Sequence, residues 1–264
     1  MAIPIALTIA GSDTSAGAGI QADLKTFQRF GVFGTSAITA ITAQNTRGVN
    51  KWETVSPDLV RAQIDSVVED LAPGATKTGM LGTAAVATIV AAAISDHKLR
   101  NYVLDPVMVA TSGDPLFERD AIAVIRTQLV SQASLVTPNL HEAAMLTGEQ
   151  IDDEDGMARA GEMIVNEMGA QAVLVKGGHL DSGDRVVDIL YDGDVRAFRS
   201  PRINTTSIHG TGCTLSAAIA AQLANGESLH AAVRRAIDYV HNAIATAPGL
   251  GGGHGPLNHL AGDS

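Results

Sequence analysis

The chain has 264 residues, a formal net charge of −10, and 45% hydrophobic against 17% charged residues, a length and composition that suit one large α/β domain. The acidic balance argues against a broad basic surface for nucleic acid or an anionic membrane. One cysteine excludes an internal disulfide framework and suits a reducing compartment.

The opening "MAIPIALTIAGSD" lacks a basic n-region and reads as a buried first strand rather than a signal peptide, so a cytoplasmic protein is expected. "IQADLKTFQRFG" repeats apolar residues at helical intervals up to Gly31, and "TSAITAITAQN" is β-branched and strand-like. "SPDLVRAQIDSVVEDL" predicts an N-capped amphipathic helix with Leu59, Ile64, Val67, Val68 and Leu71 on one face. "ATKTGML" leads into an alanine-rich helix around 84–94, too short to cross a bilayer.

"NYVLDPVM" is a strand ending in Asp-Pro, and "DPVMVATSGDPLF" is expected to act as a mobile flap over a site. "SLVTPNLHEAAMLTG" gives a strand, a turn and a helix, and the acidic run at 152–156 opens another helix. "QAVLVKGG" is a buried strand. Only "VVDILYDGDVRAFRS" reads as breaking the alternation, with a hairpin around Asp192-Gly193. Two helices, around 213–225 and 229–246, precede a glycine-rich tail whose His254 and His259 lack the spacing of a zinc motif.

Repeated strand–helix alternation predicts a mostly parallel sheet with helices on both faces, a short β-hairpin late in the chain, and one domain over 1–264. Ligands of such sheets gather at the carboxyl ends of strands. That places Gly11, Ser12 and Asp13, Gln44 and Asn45, Lys77 to Met80, Asp105, Asn139 and Glu142, and Lys176 to Gly178 on one rim.

Cys213 follows His209-Gly210-Thr211-Gly212 and opens an apolar helix. Such a turn points backbone N–H groups and the positive end of a helix dipole at one spot, which suits phosphate oxygens and favours thiolate over thiol. The plain alternative is a packing turn with an inert cysteine. Neither a P-loop nor a dinucleotide fingerprint is present. Asp105 and Glu142 could hold Mg²⁺, directly or through water, although a turn former and a favourable first-turn acid would look the same. Lys176, leaving a buried strand before two glycines, suits a polyphosphate, and Lys77 invites the same reading more weakly. Asp23 and Gln44 offer the donors and acceptors to read a polar heterocycle, with Gly11 beside them on the substrate side.

Taken together, "ALTIAGSDTSAGAGIQADLKTF", "TAQNTRGV", "TKTGMLG", "VLDPVM" with "SGDPL", "TPNLHEA", "VLVKGGH" and "HGTGCTLSAAIAA" resemble the ribokinase-like small-molecule kinases. More narrowly, they resemble the hydroxymethylpyrimidine/phosphomethylpyrimidine kinases of thiamine biosynthesis, over about residues 5–225. The resemblance implies an ATP- and Mg²⁺-dependent phosphotransferase that forms the monophosphate and then the diphosphate, plausibly as a homodimer. Gly210, Thr211 and Gly212 would form an anion hole with the Cys213 backbone, and Cys213 would be the base where most of the superfamily carries aspartate. Gln44 and Asp23 would contact the pyrimidine, with Met80 and Val107 lining its pocket. Asn139, Glu142 and Lys176 would lie toward Mg·ATP, with Thr206 near the nucleotide. One departure is "GSDTSAG", where relatives often have proline in place of Thr14 and glycine in place of Ala16. A pyridoxal kinase with the same base would show these motifs too. An idle regulatory protein on this fold would have been free to lose them.

Overall fold

The computed structural model describes residues 3–108, 118–178, 180 and 183–262; from residue 109 to 117 the expected flap lies outside them. Strands β1 (Ile5–Ser12), β2 (Phe33–Asn45), β3 (Gly48–Thr54), β4 (Ala75–Thr78), β5 (Tyr102–Leu104), β6 (Leu135–Val136), β7 (Val173–Val175), β8 (Arg185–Tyr191) and β9 (Val195–Pro201) form one sheet among the described residues. Its order is β3-β2-β1-β4-β5-β6-β7-β8-β9. From β2 to β7 the pairs are parallel, as the alternation predicts.

The late hairpin forms where Asp192-Gly193 places it, with Tyr191 opposite Val195. A second one, β2–β3, corrects the sequence reading, which saw a single break in the alternation. Every residue of β3 is exposed or only half-buried, so the strand lacks the apolar run or clean alternation that would announce it.

The helices are α1 (Gly19–Arg29), α2 (Pro57–Leu71), α3 (Ala84–His97), α4 (Arg119–Val124), α5 (Leu140–Thr147), α6 (Glu154–Asn166), α7 (Thr211–Ala224) and α8 (Leu229–Ala245). Helices α1, α7 and α8 cover one face of the sheet, and α2 to α6 cover the other. Strand pleating sorts the side chains between the two layers: Leu7 and Ile9 of β1 face α2 and α3, while Ala6 faces α7 and α8. The buried stripe of α2 is Val60 and Ile64, flanked by Val67 and Val68, whereas Leu59 is 55% exposed. The predicted face holds at Ile64, Val67 and Val68 but takes Val60 in place of Leu59, and Ser56 at the N-cap position makes no side-chain cap.

From β1 the chain crosses to β2 on one side and later to β4 on the other. This reversal opens a crevice at the carboxyl ends of β1 and β4, the usual ligand position in such sheets. The glycine-rich segment after α8 closes one wall of it. His254 donates its backbone N–H to Thr46 O (2.7 Å), and Gly255 O accepts from His209 N (3.0 Å). His259 meets the Thr214 hydroxyl at 3.1 Å, and its carbonyl accepts from the Tyr239 hydroxyl at 3.1 Å.

Candidate active site

The turn ahead of α7 is built around Gly210, whose φ of 80° is left-handed and whose missing Cβ leaves room for the Gly17 carbonyl oxygen. No other residue satisfies both demands. The Thr211 N–H is spent on Ile208 O at 3.2 Å, and its hydroxyl donates to the same oxygen at 2.7 Å. Among the described residues, the Gly212 and Cys213 N–H groups have no acceptor, as befits the first turn of a helix. The expected row of amides is thus narrower, with Thr211 outside it. A Cβ on Gly212 would sit 3.1 Å from Lys176 Nζ and 3.9 Å from Asp105 Oδ2, so the turn lies against a charged pair.

That pair is the rim's outer half. Lys176, just past β7, places Nζ 3.0 Å from Asp105 Oδ1 and 3.9 Å from Glu142 Oε2. Asp105 Oδ2 accepts from the Ser216 hydroxyl at 3.1 Å. Asn139 and Glu142 form a capping box on α5: Glu142 N donates to Asn139 Oδ1 (2.9 Å) and Asn139 N to Glu142 Oε2 (2.8 Å). The sequence signal was present as Asn-x-x-Glu before an apolar run. Burial pushes the Glu142 carboxyl up to about 7, against the pull of Lys176 and with the push of Asp105. Burial also works against charge on Lys176, but Asp105 and Glu142 outweigh it and hold its pKa above the ordinary value. Two carboxylates offer hard oxygen donors that fit Mg²⁺, an ion that keeps several waters. Among the described residues no three His, Cys, Asp or Glu side chains gather into a protein-only metal cage. The donor set therefore suits a cation that brings other oxygens with it.

The inner half is sealed. Asp23 and Lys77 show no exposure at all; Lys77 Nζ lies 2.9 and 3.1 Å from the two Asp23 oxygens, and the Thr8 hydroxyl donates to Asp23 at 2.6 Å. In this arrangement no face of Asp23 is open to a ligand. Burial alone would push the Lys77 ammonium down, but Asp23, Cys213 and Asp105 hold it above its usual value.

Cys213 stands beside this pair, half-buried. The helix N-terminus predicts a lowered thiol pKa, and the structure reverses that expectation. Burial pushes the thiol up to about 11; Lys77 draws it down, Asp105 and Asp23 push it up, and the Gly19 N–H bonds to it. Desolvation and two carboxylates outweigh Lys77 and the Gly19 N–H.

On the acceptor side, Met80 and Val107 pack together with Ala40, Val49 and Trp52, and Gly11 gives Met80 Sδ its space. The chain's one tryptophan was missed because the strand carrying it was missed. Gln44 ends β2 with its amide 3.5 Å from His209 Nε2. Ala16 has a left-handed φ of 60°, a conformation that glycine adopts without strain. Thr206 is exposed ahead of the turn, its carbonyl accepting from Ile208 N at 3.0 Å.

Comparison with known proteins places these features among others of the same plan. The family model described as phosphomethylpyrimidine kinase matches residues 13–258. The chain is 53% identical over 261 residues to a hydroxymethylpyrimidine/phosphomethylpyrimidine kinase of Rhizobium meliloti, covering 97% of both chains. Among solved structures it resembles a Bacillus subtilis pyridoxal kinase in an ADP complex, with TM-score 0.91, 38% identity and 98% of each chain covered. It also resembles a phosphomethylpyrimidine kinase of Clostridium difficile, with TM-score 0.82, 40% identity, and 91% of this chain and 99% of that one covered. No helix among the described residues is long and apolar enough to cross a membrane.

Proposed function

Because this chain belongs to the phosphomethylpyrimidine kinase family and is a phosphotransferase, we propose that it moves the γ-phosphate of ATP to the hydroxymethyl oxygen of 4-amino-5-hydroxymethyl-2-methylpyrimidine. A second transfer then converts the monophosphate to the diphosphate for thiamine biosynthesis. The whole chain works as one catalytic domain and assembles as a homodimer.

The observation that carries this reading is the approach of Gly212 to Lys176 and Asp105, which sets two unspent backbone donors against a lysine at the carboxyl rim. Phosphoryl transfer asks mainly for positioning and charge stabilisation. The Gly212 and Cys213 amides stabilise charge developing on the transferred group, and Lys176 neutralises more of it. Asp105 and Glu142 would hold Mg²⁺, which supplies further neutralisation when bound. Met80, Val107 and Trp52 form an apolar wall for the ring, and Gln44 offers its amide. Asn139 and Thr206 flank the nucleotide side. Asp23 acts through Lys77.

Cys213 accepts the alcohol's proton as the P–O bond forms. The competent form is the thiolate, about a thousandth of the population at pH 8 for a thiol near 11. It is scarce but strongly basic. General bases contribute roughly 10²–10⁴-fold, so folded Cys213→Ala should lose activity on that scale.

Pyridoxal phosphorylation is the second reading, favoured by the likeness to the Bacillus subtilis pyridoxal kinase. Product mass analysis with ATP, Mg²⁺ and each of hydroxymethylpyrimidine, its monophosphate and pyridoxal decides between the two. Sequential mono- and diphosphate formation is the expected result. Preference for pyridoxal overturns the pyrimidine assignment.

A further inference from the structure

His209, the residue just ahead of the phosphate-facing turn, has no part in the reading above, yet it is buried and touches both Asp13 and Gln44. Its Nε2 lies 2.8 Å from Asp13 Oδ2. The same carboxylate accepts from the backbone N–H groups of Ser15 (2.8 Å), Gly17 (3.1 Å) and Ala18 (2.8 Å), and from the Ser15 hydroxyl. Burial works to raise the Asp13 pKa, but the hydrogen bonds from His209 and Ser15 outweigh it and hold the carboxyl below its usual range. An ionised acceptor requires that Nε2 of His209 carry the proton.

The two backbones meet with no side chain between them. A Cβ on Gly17 would strike the imidazole, and one on Gly210 would strike the Gly17 carbonyl oxygen. A third contact is Gln44. Its amide faces His209 Nε2 at 3.5 Å, a nitrogen whose proton is donated to Asp13 and which has no lone pair to offer. At its other end stands the Thr42 hydroxyl, 3.3 Å away, which spends its proton on Ser12 O at 2.9 Å. With the Nε2 proton committed to Asp13, the Gln44–His209 contact is packing rather than a hydrogen bond and does not itself orient the amide.

We propose that His209 is a positioning residue: through Asp13 it clamps the 13–18 loop onto the Gly210–Cys213 turn, and that loop in turn holds Gln44, whose backbone N–H donates to the Thr14 hydroxyl at 2.8 Å. This rests on the kinase reading given above. It makes acceptor binding and phosphoryl positioning a single unit, separate from the nucleotide contacts around Lys176.

The test compares His209→Gln with His209→Asn in steady-state kinetics, with hydroxymethylpyrimidine and ATP varied in turn. A glutamine amide reaches the place of Nε2 and still donates to Asp13; an asparagine amide falls short. For the asparagine variant, kcat should fall roughly 10²-fold, the cost of about 1 Å of misplacement, with a raised acceptor KM and an unchanged ATP KM. The glutamine variant should stay within about tenfold of wild type, retaining the donor. Equal kinetics in the two variants, or a loss falling as heavily on the ATP KM, overturn the proposal. If the asparagine variant fails to fold, Thr14→Val decides, since it cuts the loop from the Gln44 backbone and leaves His209, Asp13 and the Gln44 side chain in place. A raised acceptor KM there supports the proposal, and an unchanged one overturns it. A wild type that phosphorylates no acceptor overturns the kinase reading itself and is distinct from all of these.

Discussion

Two lysines leave parallel strands of the same sheet, each about 3 Å from an aspartate, and they have opposite fates. Lys77 and Asp23 are completely buried, whereas Lys176 keeps 14% of its side-chain surface beside Asp105 and the α7 N-terminus. A sealed pair neutralises itself and costs desolvation for both ions. An open pair can exchange its partner for an incoming anion. Strand, residue type and partner are alike, so burial alone separates a device that sets the electrostatics around a thiol from one that can meet phosphate.

The sharpest way to break this contrast is to remove each lysine in turn. Lys176→Met should cost less stability than Lys77→Met, because Asp105 keeps the Thr137 and Ser216 hydroxyls, and should lower kcat/KM by roughly 10²–10³-fold, as for loss of a single transition-state donor. Lys77→Met should cost roughly 3–5 kcal/mol of stability, because it strands a buried carboxylate. Urea unfolding and steady-state kinetics on both proteins check the crossing of effects. Similar unfolding losses in both would erase the distinction. A smaller effect sharpens it: replacing the whole sealed cluster by apolar groups (Lys77→Met, Asp23→Leu, Thr8→Val) should return stability to within about 1–2 kcal/mol of wild type.

The smallest effect is on the thiol. With Cys213 pushed up to about 11, only the thiolate alkylates. Iodoacetamide modification of the ligand-free protein should therefore accelerate roughly tenfold per pH unit from pH 7 to 10 without a plateau. A plateau near pH 8 would mean that the helix dipole prevails over burial after all.

Much of this was legible in the sequence. Parallel strands announce themselves as short apolar runs, and the residues following those runs do collect on one rim. Cys213, Lys176 and Asp105 come together there from sites far apart in the chain. What escaped had physical reasons. Strand β3 is solvated on both faces, so neither it nor Trp52 left a periodic trace. In the α2 stripe only the first member was misread, because Leu59 and Val60 are both apolar and only packing tells them apart. The partnership of Asp23 with Lys77 spans 54 positions and depends on the pleat phase of β4 and the inward face of α1, information that no local window holds. The expectation for the thiol's pKa failed for a related reason: a helix N-terminus is local in sequence, while the burial and carboxylates that raise the pKa are not.

The segment at 251–259 gives the site a moment of completion. Everything bearing charge in the cleft is translated before it, yet the wall behind His209 and the α7 entry is made of Gly255, Pro256 and His259. At roughly 5–20 residues per second, synthesis from Cys213 to His259 occupies several seconds. Through that interval the nascent chain holds its lysines, acids and thiol without the surface that seats them. The cleft is thus completed only when residues 251–259 arrive, well after its charged groups have been made.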